Sequence, residues 1–513
     1  MKILRSILFL LAVIPATVLA LPMDILTVDT GKRFQVMDNF GASDAWTMEH
    51  IGDEWSETNK ERIADLLFST NKGIGLSYWR FNALAGINHE TIHNDWHTGE
   101  SYEPSPGKFD WSREPGQRWF LRAAKARGVQ QFALTVYSPP LWLTRNGLSN
   151  SGNDTNSTTN LKLGADSAFA QYLDQILLHF RDDPDPAERI DFDYVLPANE
   201  PQWEWQDRQE GCRYSNADLK KLYLVLDATL RADGLSTQIL GSESGSIPDM
   251  YSFNDAATAR WHSDYGDYLS FICDDPQLAA CFPHILTYHS YWSDKIPDQL
   301  VPRRLALGRA VTQRSGWRLW QSEYCIMEPG RDLGMDAALR MARVIHSDLV
   351  FAHASAWQWW LAVANNDYKD GLIYTDYVRP GDPQTIYPSK MFWALGNYSR
   401  FIRQGMVRVD VAGPENLDGL LASAYLDPVN KRTVLVLINN AAAPQKVKLK
   451  LIQERTAPGV WTPYITSAEN NLKPEKSFRA SDGFDVPALS VVTLVSSAVG
   501  PEMSAQSQQD TSQ

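Results

Sequence analysis

The stretch VLPANEPQWEW, residues 195–205, joins an apolar run to an Asn-Glu-Pro turn and two closely spaced tryptophans. A short apolar run bounded by a turn signal is typical of a buried strand, and proline cannot extend that strand in a central position. A surface loop has little use for Trp203 and Trp205 so close together, and a buried strand has little use for Glu200. The stretch therefore predicts a strand whose carboxyl end presents a carboxylic acid beside flat apolar surfaces.

Seven other apolar runs share this strand-like character. They are residues 34–42, 73–82, 130–138, 236–244, 284–292, 316–324 and 353–361. Between them, apolar residues recur at the 3.6-residue period of an amphipathic helix in 57–69, 117–128, 170–183, 217–234 and 336–350. Eight strands that alternate with helices favour an α/β fold of the (β/α)8, or TIM barrel, type. The alternative is a doubly wound sheet, which would carry a G-x-G-x-x-G turn after its first strand, where this chain has NFGASDAW.

Composition divides the chain into segments. Residues 1–20 combine a basic start, a short apolar centre and a small-residue cleavage pattern, which predicts a signal peptide because the centre is too short to span a membrane. Residues 38–400 should form the barrel. Residues 401–498 alternate like strands and predict an appended β-sandwich side domain, to which 21–40 should contribute. Residues 499–513 are polar and low in complexity, which predicts a disordered tail.

The net charge of the chain and its predicted export limit the kinds of molecule that it can bind. The formal net charge is −13, which argues against a nucleic-acid partner because a phosphate backbone requires clustered Lys and Arg. No later stretch is long and apolar enough to cross a bilayer, so we expect a secreted monomer, periplasmic if the source is a Gram-negative bacterium. In an exported protein, Cys273 and Cys281 could close a short disulfide loop.

Chemically active side chains gather at the ends of the predicted strands. These are Arg80 on the second strand, Asn199 and Glu200 on the fourth, His289 and Tyr291 on the sixth, Glu323 on the seventh, and Trp357, Trp359 and Trp360 on the eighth. Barrel enzymes place their sites at the carboxyl ends of the strands. Glu200 and Glu323 would face each other there, as the two carboxyls of a glycoside hydrolase do, roughly 5–5.5 Å apart for retention and roughly 6.5–9.5 Å apart for inversion.

The surroundings of the two carboxyls should separate their roles. A proton donor needs a raised pKa, whereas a nucleophile must stay ionised, and Arg80 or Tyr291 would favour ionisation. Asn199 could donate its amide to a substrate hydroxyl. Glu243, in the sequence GSESG, has the same strand-end appearance as Glu323 and is a competing candidate.

A metal site and a serine nucleophile are weaker alternatives. His89, His93 and His97 recur every four residues, but Asn, Thr and Gly interrupt the segment, which predicts a loop rather than one helical face. Asp367 and Asp370 are close in sequence without a ligand pattern around them. No G-x-S-x-G turn is present. We therefore expect neither a catalytic metal nor a serine nucleophile.

Seven motifs together resemble glycoside hydrolase family 30. They are NFGASDAW, YWRFN, SPPLWLTRNG, ANEPQWEWQDRQEGC, YHSYW, QSEYCI and AWQWW, and the resemblance runs from about residue 25 to residue 498. It implies a (β/α)8 barrel with a side β-sandwich, Glu200 as the acid/base, Glu323 as the nucleophile, and no cofactor. Asn199 and Arg80 match the family's polar residues beside these two. The resemblance leaves open whether His289 or Tyr291 reaches Glu323.

Further residues follow from the same resemblance. Trp359 matches the tryptophan under the sugar at the cleavage point. The exported chain most resembles endo-acting members that cut β-1,6-galactan side chains of arabinogalactan. The residues that could line such a sugar site are Asp44, Trp46, Trp142, Trp203 and Glu204. The alternatives are a β-1,6-glucanase, a xylanase or an exo-β-glycosidase, or a carbohydrate-binding barrel without turnover.

Overall fold

Eight parallel strands form a ring in the computed structural model, which describes residues 23–154, 157–253, 264–452 and 459–497. In chain order, barrel strands 1 to 8 are Asn39–Ser43, Tyr78–Asn82, Gln131–Thr135, Tyr194–Leu196, Gln238–Ile239 with Gly241–Ser244, Ile285–His289, Arg318–Glu323 and Ala356–Ala364. Strand 8 pairs in parallel with strands 1 and 7, which closes the ring. The TIM barrel prediction is confirmed. The predicted signal peptide (1–20) and tail (499–513) lie outside the described residues.

Helices connect the barrel strands. They are Thr47–Glu54, Glu57–Phe68, Pro115–Ala126, Asp166–Asp182, Asn216–Ala232, Tyr268–Cys273, Pro276–Ala279, Leu300–Thr312, Met335–Val350 and Lys390–Ser399, with 3-10 turns at Asp95–His97, Leu141–Leu143 and Pro248–Met250. The helix Asp166–Asp182 buries the apolar stripe that its period predicts, including Phe169, Leu173 and Ile176. No helix among the described residues has the length and apolar character that crossing a membrane requires.

The barrel interior changes from apolar to polar along the strands. One buried cluster fills the amino-terminal end and consists of Tyr78, Ala133, Tyr194, Leu196, Leu240, Ile285, Trp320 and Ala356. The Trp320 ring lies 5.0 Å from that of Tyr194 and 5.8 Å from that of Tyr78. Two residues after Tyr78, Arg80 points to the same face, because alternate residues of a strand share a face. The aromatic layer closes one end, and the polar side chains collect at the other.

The side domain is one ten-stranded mixed sheet. Its strands are Met23–Val36, Val407–Ala412, Leu420–Asp427, Arg432–Asn439, Gln445–Ile452, Val460–Thr466, Lys473–Pro474, Phe478–Arg479, Phe484–Val486 and Ser490–Ser496. The N-terminal strand pairs antiparallel with Val407–Ala412 and parallel with Gln445–Ile452. Leu26, Leu437 and Trp461, from separate parts of the sheet, share one buried cluster. The sheet therefore folds over its own core, as a sandwich does.

Four short strands lie in the loops after barrel strands 7 and 8. They are Ile326–Pro329, Tyr368–Lys369, Gly371–Tyr374 and Tyr387–Pro388. The first two pair with each other, which ties together the loops at the carboxyl end of the barrel.

The predicted disulfide between Cys273 and Cys281 is wrong. All four cysteines of the chain fall within the described residues and are free thiols. Cys273 ends the helix Tyr268–Cys273, and the helix Pro276–Ala279 follows almost at once. The Cys281 thiol donates a hydrogen bond to the carbonyl of Gln277 in that second helix, at 3.3 Å. The short helix Pro276–Ala279 thus occupies the loop that the disulfide would have closed.

Candidate active site

Glu200 and Glu323 both lie at the carboxyl end of the barrel. Glu323 is the last residue of strand 7. Strand 4 ends at Leu196, and the turn that follows gives Glu200 a left-handed backbone, with φ at 43°, which is uncommon for a residue with a side chain. The N–H group of Glu200 donates to the carbonyl of Glu243 at 2.9 Å, so strand 5 holds this turn in place.

The two carboxyl groups are close to each other. One ligand atom each from Glu200, Glu323 and His289 lie within 4.8 Å of one another. Retaining glycosidases hold their carboxyls roughly 5–5.5 Å apart, whereas inverting enzymes need roughly 6.5–9.5 Å to admit a water molecule. The observed separation favours the retaining arrangement.

Two donors hold the Glu323 carboxylate. Arg80 donates from Nη1 to Oε2 at 2.9 Å, and the Tyr291 hydroxyl donates to Oε1 at 2.8 Å. Tyr291 is thus the sixth-strand side chain that bonds to Glu323, whereas His289 Nδ1 is 3.5 Å from Oε1. Burial raises the pKa of the Tyr291 phenol, which keeps it protonated and able to donate. Burial also raises the pKa of Glu323, against the lowering influence of His289 and Arg80.

His289 bridges two carboxylates. A register shift between strands 6 and 7 brings His289 opposite Glu323. Its Nδ1 lies 2.8 Å from Glu200 Oε1, and its Nε2 lies 3.2 Å from Glu243 Oε2. Burial alone would lower the pKa of His289, but the carboxylates of Glu323, Glu200 and Glu243 raise it to about 10. The ring is therefore an imidazolium that donates from both nitrogens.

Glu243 is a counter-ion beside the carboxyl pair of Glu200 and Glu323. Its Oε2 lies 3.0 Å from Arg80 Nη2, in addition to its contact with His289, and its side chain is fully buried. Burial would raise the pKa of Glu243, but the charges of Arg80 and His289 outweigh burial and lower it to about 2. The sequence marks Glu243 as a competing candidate for the chemistry. The structure places it outside the cavity wall, among fixed charges.

Asn199 connects this charge network to the cavity. Its Oδ1 accepts a hydrogen bond from Arg80 Nη2 at 2.9 Å, and the residue lines the cavity. Because Arg80 engages the carbonyl oxygen, the amide N–H2 of Asn199 is the group available to a sugar hydroxyl.

A cavity of about 450 Å³ opens over the carboxyl pair. Its aromatic wall consists of Trp46, Trp203, Trp205, Tyr291, Trp292, Trp360 and Tyr368. Aromatic faces can cover the apolar face of a sugar ring, while carboxyl and amide groups bond to its hydroxyls. Left-handed backbone conformations recur in this wall at Trp205, Arg208 and Trp292. Such strain collects at functional sites.

Trp359, which was predicted to lie under the sugar, is buried outside the cavity, and Trp360 is the strand 8 tryptophan in the cavity wall. Ala356 belongs to the cluster inside the barrel, and Trp360 lies four residues further along the same strand face. Trp357 and Trp359 lie on the opposite face and are fully buried. There the Trp357 indole donates to Asp348 Oδ2, on the helix after strand 7, at 3.0 Å.

Other predicted sugar contacts divide between the cavity and its surroundings. Trp46 and Trp203 line the cavity, whereas Asp44, Trp142 and Glu204 do not. Asp44 is fully buried and accepts a hydrogen bond from the Asn82 N–H at 3.0 Å, so it fixes the backbone at the end of strand 2. The Trp142 indole donates to the carbonyl of Glu103 at 3.0 Å, so this side chain contacts a neighbouring loop instead of the cavity.

The three histidines of the possible metal motif do not share a site. Residues 88–99 form the predicted loop, with one 3-10 turn at Asp95–His97. His89 Nδ1 lies 3.6 Å from Asp95, and His97 Nδ1 lies 3.1 Å from the carbonyl of Arg208.

Glu200, His289 and Glu323 are spaced like metal ligands. However, their ligand atoms are already paired with protein groups, His289 Nδ1 with Glu200 Oε1, and the Glu323 carboxylate with Arg80 and Tyr291. Charge pairing accounts for this cluster, and its donor set suits proton transfer and nucleophilic attack.

Comparisons with known proteins agree with this geometry. A model of O-glycosyl hydrolase family 30 matches residues 23–374. An endo-β-1,6-galactanase of Hypocrea rufa is 25% identical over 462 residues, 84% of each chain. A glucuronoxylanase of Bacillus subtilis strain 168 is 22% identical over 397 residues, 74% of this chain and 78% of that one. The solved structure of a conserved exported protein from Bacteroides fragilis has a TM-score of 0.81 and 29% identity, covering 92% of this chain and 100% of that one.

Proposed function

The chain belongs to O-glycosyl hydrolase family 30, and we propose that it is a retaining enzyme that cuts β-1,6-linked galactan internally. The observation that carries this proposal is the pair of carboxyls of Glu200 and Glu323, whose ligand atoms lie within 4.8 Å at the open end of the barrel. That pair also argues against a barrel that binds carbohydrate without turnover.

The contacts of each carboxyl support one role. Burial raises the pKa of Glu323, and the hydrogen bonds that Arg80 and Tyr291 donate oppose burial by stabilising the ionised form that attacks the anomeric carbon. His289 holds Oε1 of Glu200, which leaves Oε2 to give its proton to the departing oxygen as the sugar–oxygen bond breaks. In the second step Glu200 takes a proton from water, the water oxygen bonds to the anomeric carbon, and Glu323 is released.

Cleavage within a chain is supported by the extent of the groove. One neighbouring cavity shares His97 and Arg208 with the catalytic cavity, and another shares Trp46. Space that continues on more than one side suits a polysaccharide threaded through the site. The galactanase of Hypocrea rufa, similar over 84% of both chains, supports a galactan as that polysaccharide.

Glucuronoxylan is the second candidate substrate. Arg208 contributes a cation to the wall of the catalytic cavity, where it could meet an acidic sugar. The glucuronoxylanase of Bacillus subtilis is the relative that supports this alternative.

We place the enzyme outside the cytoplasm, as a monomer. The predicted signal peptide, residues 1–20, supports export, as does the description of the Bacteroides fragilis relative as exported. The location of the mature protein in fractionated cells, and its mass in solution, test these two statements.

A product profile tests the substrate. Wild-type enzyme is incubated with β-1,6-galactan, β-1,6-glucan and glucuronoxylan, and the products are separated by size. A ladder of galacto-oligosaccharides from galactan supports the proposal. Release of monosaccharide alone would indicate an exo-acting enzyme, and products from another polymer alone would reassign the substrate.

A further inference from the structure

Trp292 is a large aromatic residue left exposed in the wall of the catalytic cavity. It is 46% exposed and lies directly after Tyr291 at the end of strand 6. Its φ of 50° is in the left-handed region, which is strained for a bulky side chain. An exposed indole and a strained backbone at one wall residue indicate a surface kept for a ligand.

Neighbouring groups hold the Trp292 ring in place. The Trp203 ring packs edge-on against it, with centroids 5.5 Å apart and planes at 82°. The Tyr291 ring lies 5.7 Å away. Arg303 donates to the carbonyl of Trp292 at 3.1 Å and so fixes the backbone. The ring is therefore a braced surface rather than a free side chain.

The position of Glu200 identifies the half of the cavity to which this surface belongs. The proposed proton donor must lie beside the departing sugar. Trp203 belongs to the same turn as Glu200, because the backbone N–H of Trp203 donates to the Glu200 carbonyl at 3.1 Å. Trp292 packs on the ring of Trp203. Trp46 and Trp360 form a separate pair, 5.5 Å apart, at the ends of strands 1 and 8. The cavity thus has one aromatic wall beside the proton donor and another at strands 1 and 8.

We propose that Trp292 is the platform of a leaving-group subsite and stacks on the apolar face of the neutral pyranose that departs from the reaction centre. This assignment rests on the proposed role of Glu200. The same platform would bind an acceptor sugar during the second step. The acceptor's hydroxyl oxygen then bonds to the anomeric carbon, Glu200 takes the hydroxyl proton, and the bond to Glu323 breaks. Transfer to sugar acceptors should depend on Trp292.

The test compares Trp292→Ala and Trp292→Phe with wild type on two substrates. One is the β-glycan that the wild type cuts best in the product profile. The other is the glycosyl fluoride of the same sugar, whose leaving group is too small to reach Trp292. Phe34→Ala is the control, because Phe34 is 41% exposed but lies on the N-terminal strand of the side sheet. Product analysis at high sugar concentration gives the ratio of transfer to hydrolysis.

We expect kcat/KM on the polysaccharide to fall about tenfold in Trp292→Ala, the change that corresponds to about 1.4 kcal/mol. In the same variant, hydrolysis of the fluoride should stay within about twofold of wild type, and the ratio of transfer to hydrolysis should collapse. Trp292→Phe should keep most of the wild-type kcat/KM on polysaccharide and most of the transfer ratio. Equal losses on both substrates, or no loss on either, would overturn the assignment. A wild type that cuts another polymer overturns the galactan proposal alone, because the platform is then tested on that polymer.

Discussion

His289 Nδ1 lies 2.8 Å from Glu200 Oε1, so the proposed proton donor is bonded to a fully buried imidazolium. The same ring reaches Glu243 through Nε2, and Glu243 in turn contacts Arg80. Arg80 donates to Glu323 on the other side of the site. One continuous network of charges therefore holds both proposed catalytic carboxyls, and changes in it should alter pH dependence as well as rate.

Glu243→Gln should shift the titration of the His289 ring to lower pH. Glu243 is one of the carboxylates that raise the pKa of His289 to about 10, so neutralising it should lower that pKa. NMR titration of the His289 ring between pH 4 and 11 measures the shift. Glu415→Gln is the matched control, because half-exposed Glu415 contacts His346 at 3.1 Å, away from the site. A Glu243→Gln profile that overlays the wild type would contradict this role.

Glu243 should also affect acid stability. Its pKa in the folded protein is about 2, below the ordinary value of 4.5. A carboxyl with a lowered pKa contributes stability above its unfolded pKa and loses it as pH falls through the folded value. The melting temperature of wild type should therefore fall more steeply than that of Glu243→Gln between pH 4.5 and pH 2. Parallel curves would show that the ionised carboxylate adds no stability.

Glu200→Gln should separate proton donation from nucleophilic attack. We expect kcat on polysaccharide to fall by about 10²–10⁴-fold, because the departing sugar oxygen loses its proton donor. Glycosides with a leaving group that needs no proton, such as dinitrophenyl, should form the glycosyl-enzyme at near wild-type rates. A pre-steady-state burst of dinitrophenol measures that step. Equal losses on both substrates would rule out the assigned role.

Trp360 and Trp359 should respond differently to substitution with alanine. Trp360 lines the cavity, so Trp360→Ala should raise KM about tenfold or more with little change in melting temperature. Trp359 is fully buried, so Trp359→Ala should lower the free energy of unfolding by about 3–5 kcal/mol. Kinetics and denaturant unfolding of both variants distinguish the two roles. The reverse pattern would restore Trp359 as the residue under the sugar.

The barrel could be predicted from the sequence because its signals are local. Each barrel strand is an apolar run, as in the stretch before Glu200, and five of the helices show their own period. Trp359 and Trp360 could not be separated in this way. Their faces depend on which residues of strand 8 point inward, and the pairing of that strand with strand 1 is irregular between Trp359 and Leu361.

Long-range contacts account for the other differences. Glu243 and Glu323 look alike in sequence, but strand 5 brings Glu243 against Arg80 and His289, outside the cavity. The spacing of Cys273 and Cys281 permits a disulfide, but it does not reveal that the short helix Pro276–Ala279 occupies the loop between them. These features depend on neighbours distant in the chain, which a local pattern does not contain.

Identification of the residue that bonds to the sugar is the most direct test of the double-displacement account. A 2-deoxy-2-fluoro glycosyl fluoride of the sugar that the enzyme releases should slow the second step and trap the intermediate. Mass spectrometry of proteolytic peptides should then place the label on Glu323, with no label in Glu323→Gln. A label on Glu200 or Glu243, or turnover that never yields a covalent species, would contradict the account.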